Sequence, residues 1–202
     1  MPKDTFFNLK EDKRERILRS AITEFNACGF IKANIGIIAR NAGVAKGSMY
    51  QYFEGKDELF VYCVTWSIEK LLLLAGGQKP VGEIDIFDYS YYDIKQRGEL
   101  MEKEKEISVF ALDVFMGKFH SAPHETIDEM MRVSEEYVLE MIKAGKKRGT
   151  VRADIDDDIL SMFLSGATMK VKEYIARGSG QVDRIYEGLM TLLKDSIGTK
   201  SE

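Results

Sequence analysis

Residues 34–53 read NIGIIARNAGVAKGSMYQYF, and two short helical patterns fit inside them. The first runs from Ile35 to Ala42, buries Ile35, Ile38 and Ala39, and has Asn34 as its N-cap. Gly43 can take the positive φ of a tight inter-helix turn. Val44 is the apolar plug that such a turn buries, and Ala39 is small where the two helices must pack closely. The second pattern, Lys46 to Phe53, follows at once. A helix-turn-helix of this kind sets its second helix in the major groove of DNA, with its N-terminal residues leading. That helix presents Lys46, Gly47, Ser48, Tyr50, Gln51 and Tyr52. Lys46 can reach a guanine edge or a phosphate, and Gly47 lets the backbone approach DNA closely. Ser48 and Gln51 can bond base edges, glutamine suiting adenine. Tyr50 and Tyr52 can donate hydroxyls to phosphate or pack on thymine methyls.

Outward from this stretch the chain reads as helix. Upstream, Ile17, Leu18, Ala21, Ile22, Phe25 and Cys28 form one apolar face of a helix over 11–28, which Gly29 ends. Downstream, a long helix from Lys56 to Ala75 turns Phe60, Val64, Ile68 and Leu71 or Leu72 inward. Gly76-Gly77 and Pro80 stop it, and a soft boundary falls at 76–83. Further helices are expected near 86–102, 104–118, 124–147, 155–177 and 181–197, with breaks at Pro123, Gly149 and Gly178-Ser179-Gly180. The expectation is an all-α chain of about nine helices. Val151-Arg152-Ala153 has an extended look, but no alternating segment offers it a partner strand.

The composition agrees. The 202 residues include only three prolines, and no apolar run is long enough to span a bilayer. The N-terminal residues lack the apolar core of a secretory signal. Cys28 and Cys63 stand far apart and read as fillers in a reduced cytoplasm. Charge is uneven: residues 1–53 hold nine Lys and Arg against five Asp and Glu, whereas residues 54–202 hold 20 against 28. A basic head on an acidic body suggests that the head meets a polyanion and the body does not.

At these residues the chain resembles the TetR family of transcriptional regulators. The matching run is Gly29-Phe30, Ile38-Ala39, Ala42-Gly43-Val44, Lys46 through Phe53, and Lys56-Asp57-Glu58-Leu59, against a pattern of the form AGVSKGTxYxYFxSKexL. The resemblance covers the first quarter to third of the chain without a gap. It departs at Ala45, where the family has Ser or Thr to cap the recognition helix, and at Gly36, where a longer residue is common. What it implies is a homodimer of helical subunits. Residues 1–55 would be the DNA-binding head, and 56–202 the effector-binding and dimerisation domain, with 56–76 as the connecting helix. Asn34 and Lys56, the latter at phosphate, complete the DNA-contacting set. In the family, ligand binding reorients the two heads and releases a palindromic operator, and repression is the common outcome.

The body supplies candidates of its own. Trp66, Tyr89, Tyr92, Phe110, Phe115 and Phe119 are candidate walls for an apolar or amphipathic effector, although rings of this kind equally fill an ordinary core. Met162, Phe163, Gly166 and Met169, with Ile185, Leu189 and Leu192, form apolar faces of the last two helices, which suit a dimer seam or packing within the subunit. His120 and His124 flank Pro123 and make a poor metal pair. Asp154, Asp156, Asp157 and Asp158 lack the spacing of a calcium loop. Neither metal nor cofactor is expected. No nucleophile elbow, zinc-protease or phosphate-loop motif appears, so catalysis has little support. The alternatives are a regulator of this fold answering to a protein partner, and a helical ligand carrier or enzyme with a vestigial head.

Overall fold

The computed structural model describes residues 1–74, 84–123, 125–178 and 182–199. Ten helices lie among them: α1 (Asp4–Phe7), α2 (Glu11–Lys32), α3 (Ile35–Asn41), α4 (Lys46–Tyr52), α5 (Lys56–Leu74), α6 (Ile86–Lys103), α7 (Lys105–Phe115), α8 (Glu125–Arg148), α9 (Asp157–Ala176) and α10 (Val182–Ile197). The all-helical architecture is as expected, with one addition and one change: α2 does not end at Gly29 but kinks there, at φ 71°, and runs on to Lys32. Helix α1 is four residues long, too short for apolar periodicity to register. The boundary at 76–83, His124, Ser179 and Gly180 lie outside the described residues.

By mutual contact the chain divides into two compact units. One is Met1–Lys70 with Glu106–Asp128; the other is Leu71–Lys105 with Glu129–Glu202. Compactness therefore draws its line elsewhere than the 55/56 boundary drawn on functional grounds. The first unit buries Ile17, Leu18, Ala21, Ile22 and Phe25 of α2 against Ile38 and Ala39 of α3 and Leu59, Phe60, Cys63 and Val64 of α5. Its centre is a set of phenylalanine rings. Phe60 lies 5.0 Å from Phe25, 5.5 Å from Phe110 and 5.2 Å from Phe119, in edge-on or tilted arrangements favoured by the ring quadrupole. Helix α7, which carries Phe110, thus belongs to the core of the head.

The second unit gathers Ile86 and Phe87 of α6, Met141 and Ile142 of α8, Leu160, Leu164 and Ile175 of α9, and Tyr186, Met190, Leu193 and Ile197 of α10. Val151 joins this core and finds the partner that alternation does not reveal. It bridges Gly198 antiparallel, with the Arg152 N–H donating to the Ile197 carbonyl at 2.9 Å. Asp85 and Asp156 cap α6 and α9, accepting from the N–H groups of Phe87 and Asp158, each at 2.9 Å. No helix among the described residues is long and apolar enough to cross a membrane.

Candidate nucleic-acid interface

The helix-turn-helix is assembled from local chemistry. The Asn34 side chain accepts from the Gly36 N–H at 2.8 Å and opens α3, while the Asn34 N–H donates to Glu24 Oε1 at 3.0 Å. Glu24 is a buried carboxylate, and this bond gives it a partner. At the other end of α3, Gly43 takes φ 69° and turns the chain into α4. Val44 is only half-buried there; the fully enclosed residue of the turn is Ala42, a correction to the expected plug. Two side chains of α2 donate to carbonyls in the last turn of α3 and just beyond it. Ser20 donates to the Ile38 carbonyl at 2.9 Å and Arg16 to that of Ala42 at 3.2 Å.

Helix α4 turns Met49 and Tyr52 inward and leaves Lys46, Gly47, Tyr50 and Gln51 exposed, with Ser48 half-buried at the edge. Those four outward residues form one polar, basic-ended face. Tyr52 departs from its expected place: it is 7% exposed and its ring packs 6.1 Å from Phe6, so its bulk serves the core. Ala45 gives α4 no side-chain cap, as its lack of a hydroxyl implies. Gly36 gains a physical reason. A Cβ there would lie 3.1 Å from Asn34 Oδ1 and 3.6 Å from Lys46 Cδ, so the bare glycine leaves room for the cap and for the Lys46 stem. Lys56 is held internally. Its ammonium donates to the carbonyls of Ile31 at 2.8 Å and Ala33 at 3.3 Å and sits 4.9 Å over the Phe30 ring.

The candidate effector residues are divided between the two compact units. Phe110 and Phe119 are buried in the phenylalanine core of the head's unit, where Trp66 and Phe115 are half-buried. Tyr89 and Tyr92 belong to the other unit, where Tyr89 packs edge-on to Tyr137 at 5.3 Å. In that unit the Tyr186 hydroxyl is buried without a hydrogen-bond partner, and burial raises its pKa above the usual phenol value. On α9 and α10, Met162, Phe163, Gly166 and Leu192 are exposed, and Met169, Ile185 and Leu189 are half-buried. The acidic run is otherwise engaged. Asp157 pairs with Lys146 at 2.6 Å, and a hydrogen bond from Arg152 holds the Asp154 carboxyl down at about 2. Among the described residues no group of three His, Cys, Asp or Glu side chains is gathered as for a metal.

Residues 17–63, which span this assembly, match the family described as bacterial regulatory proteins, tetR family. Over nearly its whole length the chain is similar to the transcriptional repressor KstR2 of Rhodococcus jostii, 21% identical across 94% of this chain and 93% of that one. A TetR family transcriptional regulator from Chloroflexus aurantiacus shares the fold, with a TM-score of 0.80 at 21% identity over 99% of this chain and 100% of that one. The Bacillus subtilis regulator FadR, solved in complex with stearoyl-CoA, gives a TM-score of 0.68 at 14% identity over 91% of this chain and 98% of its own. Fold and site together define a helix-turn-helix DNA-binding transcriptional regulator. Its helix-turn-helix region matches the TetR family, and its whole fold is similar to that of TetR family regulators.

Proposed function

We propose that this regulator is a homodimeric repressor, released from a palindromic operator when a small apolar or amphipathic effector binds. The observation that carries the reading is the outward face of α4. Lys46, Gly47, Tyr50 and Gln51 stand exposed on a helix whose other face is locked into the core. Side chains so presented can reach base edges and phosphates at once.

The dimer reading draws support from apolar surface left open on the last two helices. Met162 is 68% exposed and Leu192 65%, a concentration that calls for cover. Residues 56–202 then carry effector binding and dimerisation, and residues 1–55 read DNA. The effector reading draws on the stearoyl-CoA bound by FadR and on the buried, unpartnered Tyr186 hydroxyl, which has an unmet polar need inside an apolar core.

The test is selection from a randomised duplex library, followed by titration of the winner against salt. An enriched palindrome bound by two subunits with a steep salt slope is the expected result. Addition of long-chain acyl-CoA should then release it. Failure to enrich any sequence would sink the repressor reading. Enrichment of a site that no acyl-CoA or fatty acid releases would sink the effector class alone.

A further inference from the structure

The last turn of α4 is gripped from outside by a segment that belongs to no DNA-reading pattern. The final carbonyls of a helix have no partner within it. Here three consecutive ones are taken up by residues 3–5. Lys3 Nζ donates to the Tyr50 carbonyl at 3.1 Å, the Thr5 hydroxyl donates to that of Gln51, and the Lys3 N–H donates to that of Tyr52 at 2.9 Å. Phe6 anchors the segment: wholly buried, its ring lies 4.9 Å from Phe53 and 5.6 Å from Tyr62. The opposite end of α4 has no side-chain cap. A helix of seven residues does not hold itself together in water, so its orientation is set by its packed face and by whatever grips its ends.

We propose that residues 3–6 are a positioning element for base readout. They fix the rotation of α4 so that Tyr50 and Gln51 meet base edges, and they do so without touching DNA. Each of those two residues contributes a side chain to the outward face and a carbonyl to the clamp, so the clamp acts on the very residues that read. Hydrogen bonds to base edges depend steeply on distance and angle, whereas attraction to phosphates does not. Loosening the clamp therefore erodes discrimination between sequences and leaves sequence-blind attraction intact. This inference rests on the reading of α4 as the recognition helix.

The experiment uses the full chain, a duplex selected from a random library by the wild type, and a scrambled duplex of the same length. Thr5→Val keeps shape and charge and removes only the hydroxyl. Its affinity for the selected duplex should fall about fivefold, the scale of one net hydrogen bond, with the scrambled duplex and the salt slope unchanged. Thr5→Ser should restore discrimination, which a loss of packing would not allow. Lys3→Met should likewise lower the preference for the selected duplex at constant salt slope. Tyr50→Ala and Gln51→Ala serve as comparators, each losing at least about fivefold on the selected duplex. Wild-type discrimination in Thr5→Val and Lys3→Met, beside impaired comparators, overturns the clamp. So does a Lys3→Met that weakens both duplexes alike and flattens the slope, since Lys3 would then be a phosphate contact. Silent comparators would bring down the recognition-helix reading, and the clamp with it.

Discussion

The two compact units treat their large apolar residues differently. The unit that carries the head packs Phe25, Phe60, Phe110 and Phe119 into one interior and turns a polar face outward on α4. The other unit keeps Ile159, Met162, Phe163 and Leu192 open on α9 and α10 while its core is already filled by Leu160, Leu164, Ile175 and Leu193. A surface that is apolar although its own core is complete is a surface meant for something else. On the proposed reading, the outward face of α4 meets a polyanion and the open residues of α9 and α10 are covered by apolar surface of a second subunit.

The comparison breaks most sharply at Phe110. If α7 belongs to the head's core, Phe110→Ala should cost about 3–5 kcal/mol in denaturant unfolding and abolish DNA binding together with it. A variant that unfolds partially yet binds DNA like the wild type would detach α7 from the head. The second unit is probed by Leu192→Glu, which places a charge on the open stripe. The dimer dissociation constant, measured by sedimentation, should rise at least about thirtyfold while helicity is retained. An unchanged dimer would move the seam away from α10.

Smaller effects sharpen the boundary between holding the head and reading DNA. Lys56→Met should lower stability by about 1 kcal/mol, because two carbonyls lose a charged donor, and should leave the salt slope of DNA binding as it was. A slope reduced by about one would return Lys56 to phosphate contact. The smallest effect concerns acid. Glu15 accepts from Lys70 Nζ at 2.7 Å and Arg19 Nε at 2.8 Å, and the Lys70 bond is the first cause that lowers its pKa. A carboxylate with a depressed folded pKa stabilises above its unfolded value, about 4.3, and loses that contribution as pH falls through the folded value. Glu15→Gln should flatten this acid limb of the unfolding curve, and an unaltered limb would exclude Glu15 as a source of it.

The helix-turn-helix was readable because its determinants are local. Asn34 caps two residues ahead, Gly43 makes its own turn, and Met49 lies three residues from Tyr52 on the inner face of one short helix. What stayed hidden depends on distant pairing. The bonds from Lys3 and Thr5 reach residues 46 and 47 positions away, and they fall on backbone carbonyls, which carry no sequence signature. The internal bonds of Lys56 were also hidden, because a lysine at a helix start reads the same whether it faces solvent or the carbonyls of Ile31 and Ala33. Tyr52 follows Met49 by three residues onto the inner face, but the ring it meets there, Phe6, is 46 positions away. Phe110 read equally as an effector wall or as an ordinary core ring, and nothing in the sequence says which core would take it.

That discontinuous interior has a consequence for synthesis. Phe25 and Phe60 leave the ribosome well before Phe110 and Phe119, and their unit takes in residues as late as Asp128. At about 5–20 residues per second, the interval between residues 70 and 128 is roughly 3–12 s, during which the nascent head carries open aromatic surface. A message or protease that ended the chain near residue 70 would release a fragment carrying the whole DNA-reading motif but prone to aggregate. On the proposed reading, the unit that carries the DNA-reading motif completes its core only once residues near Asp128 have been made.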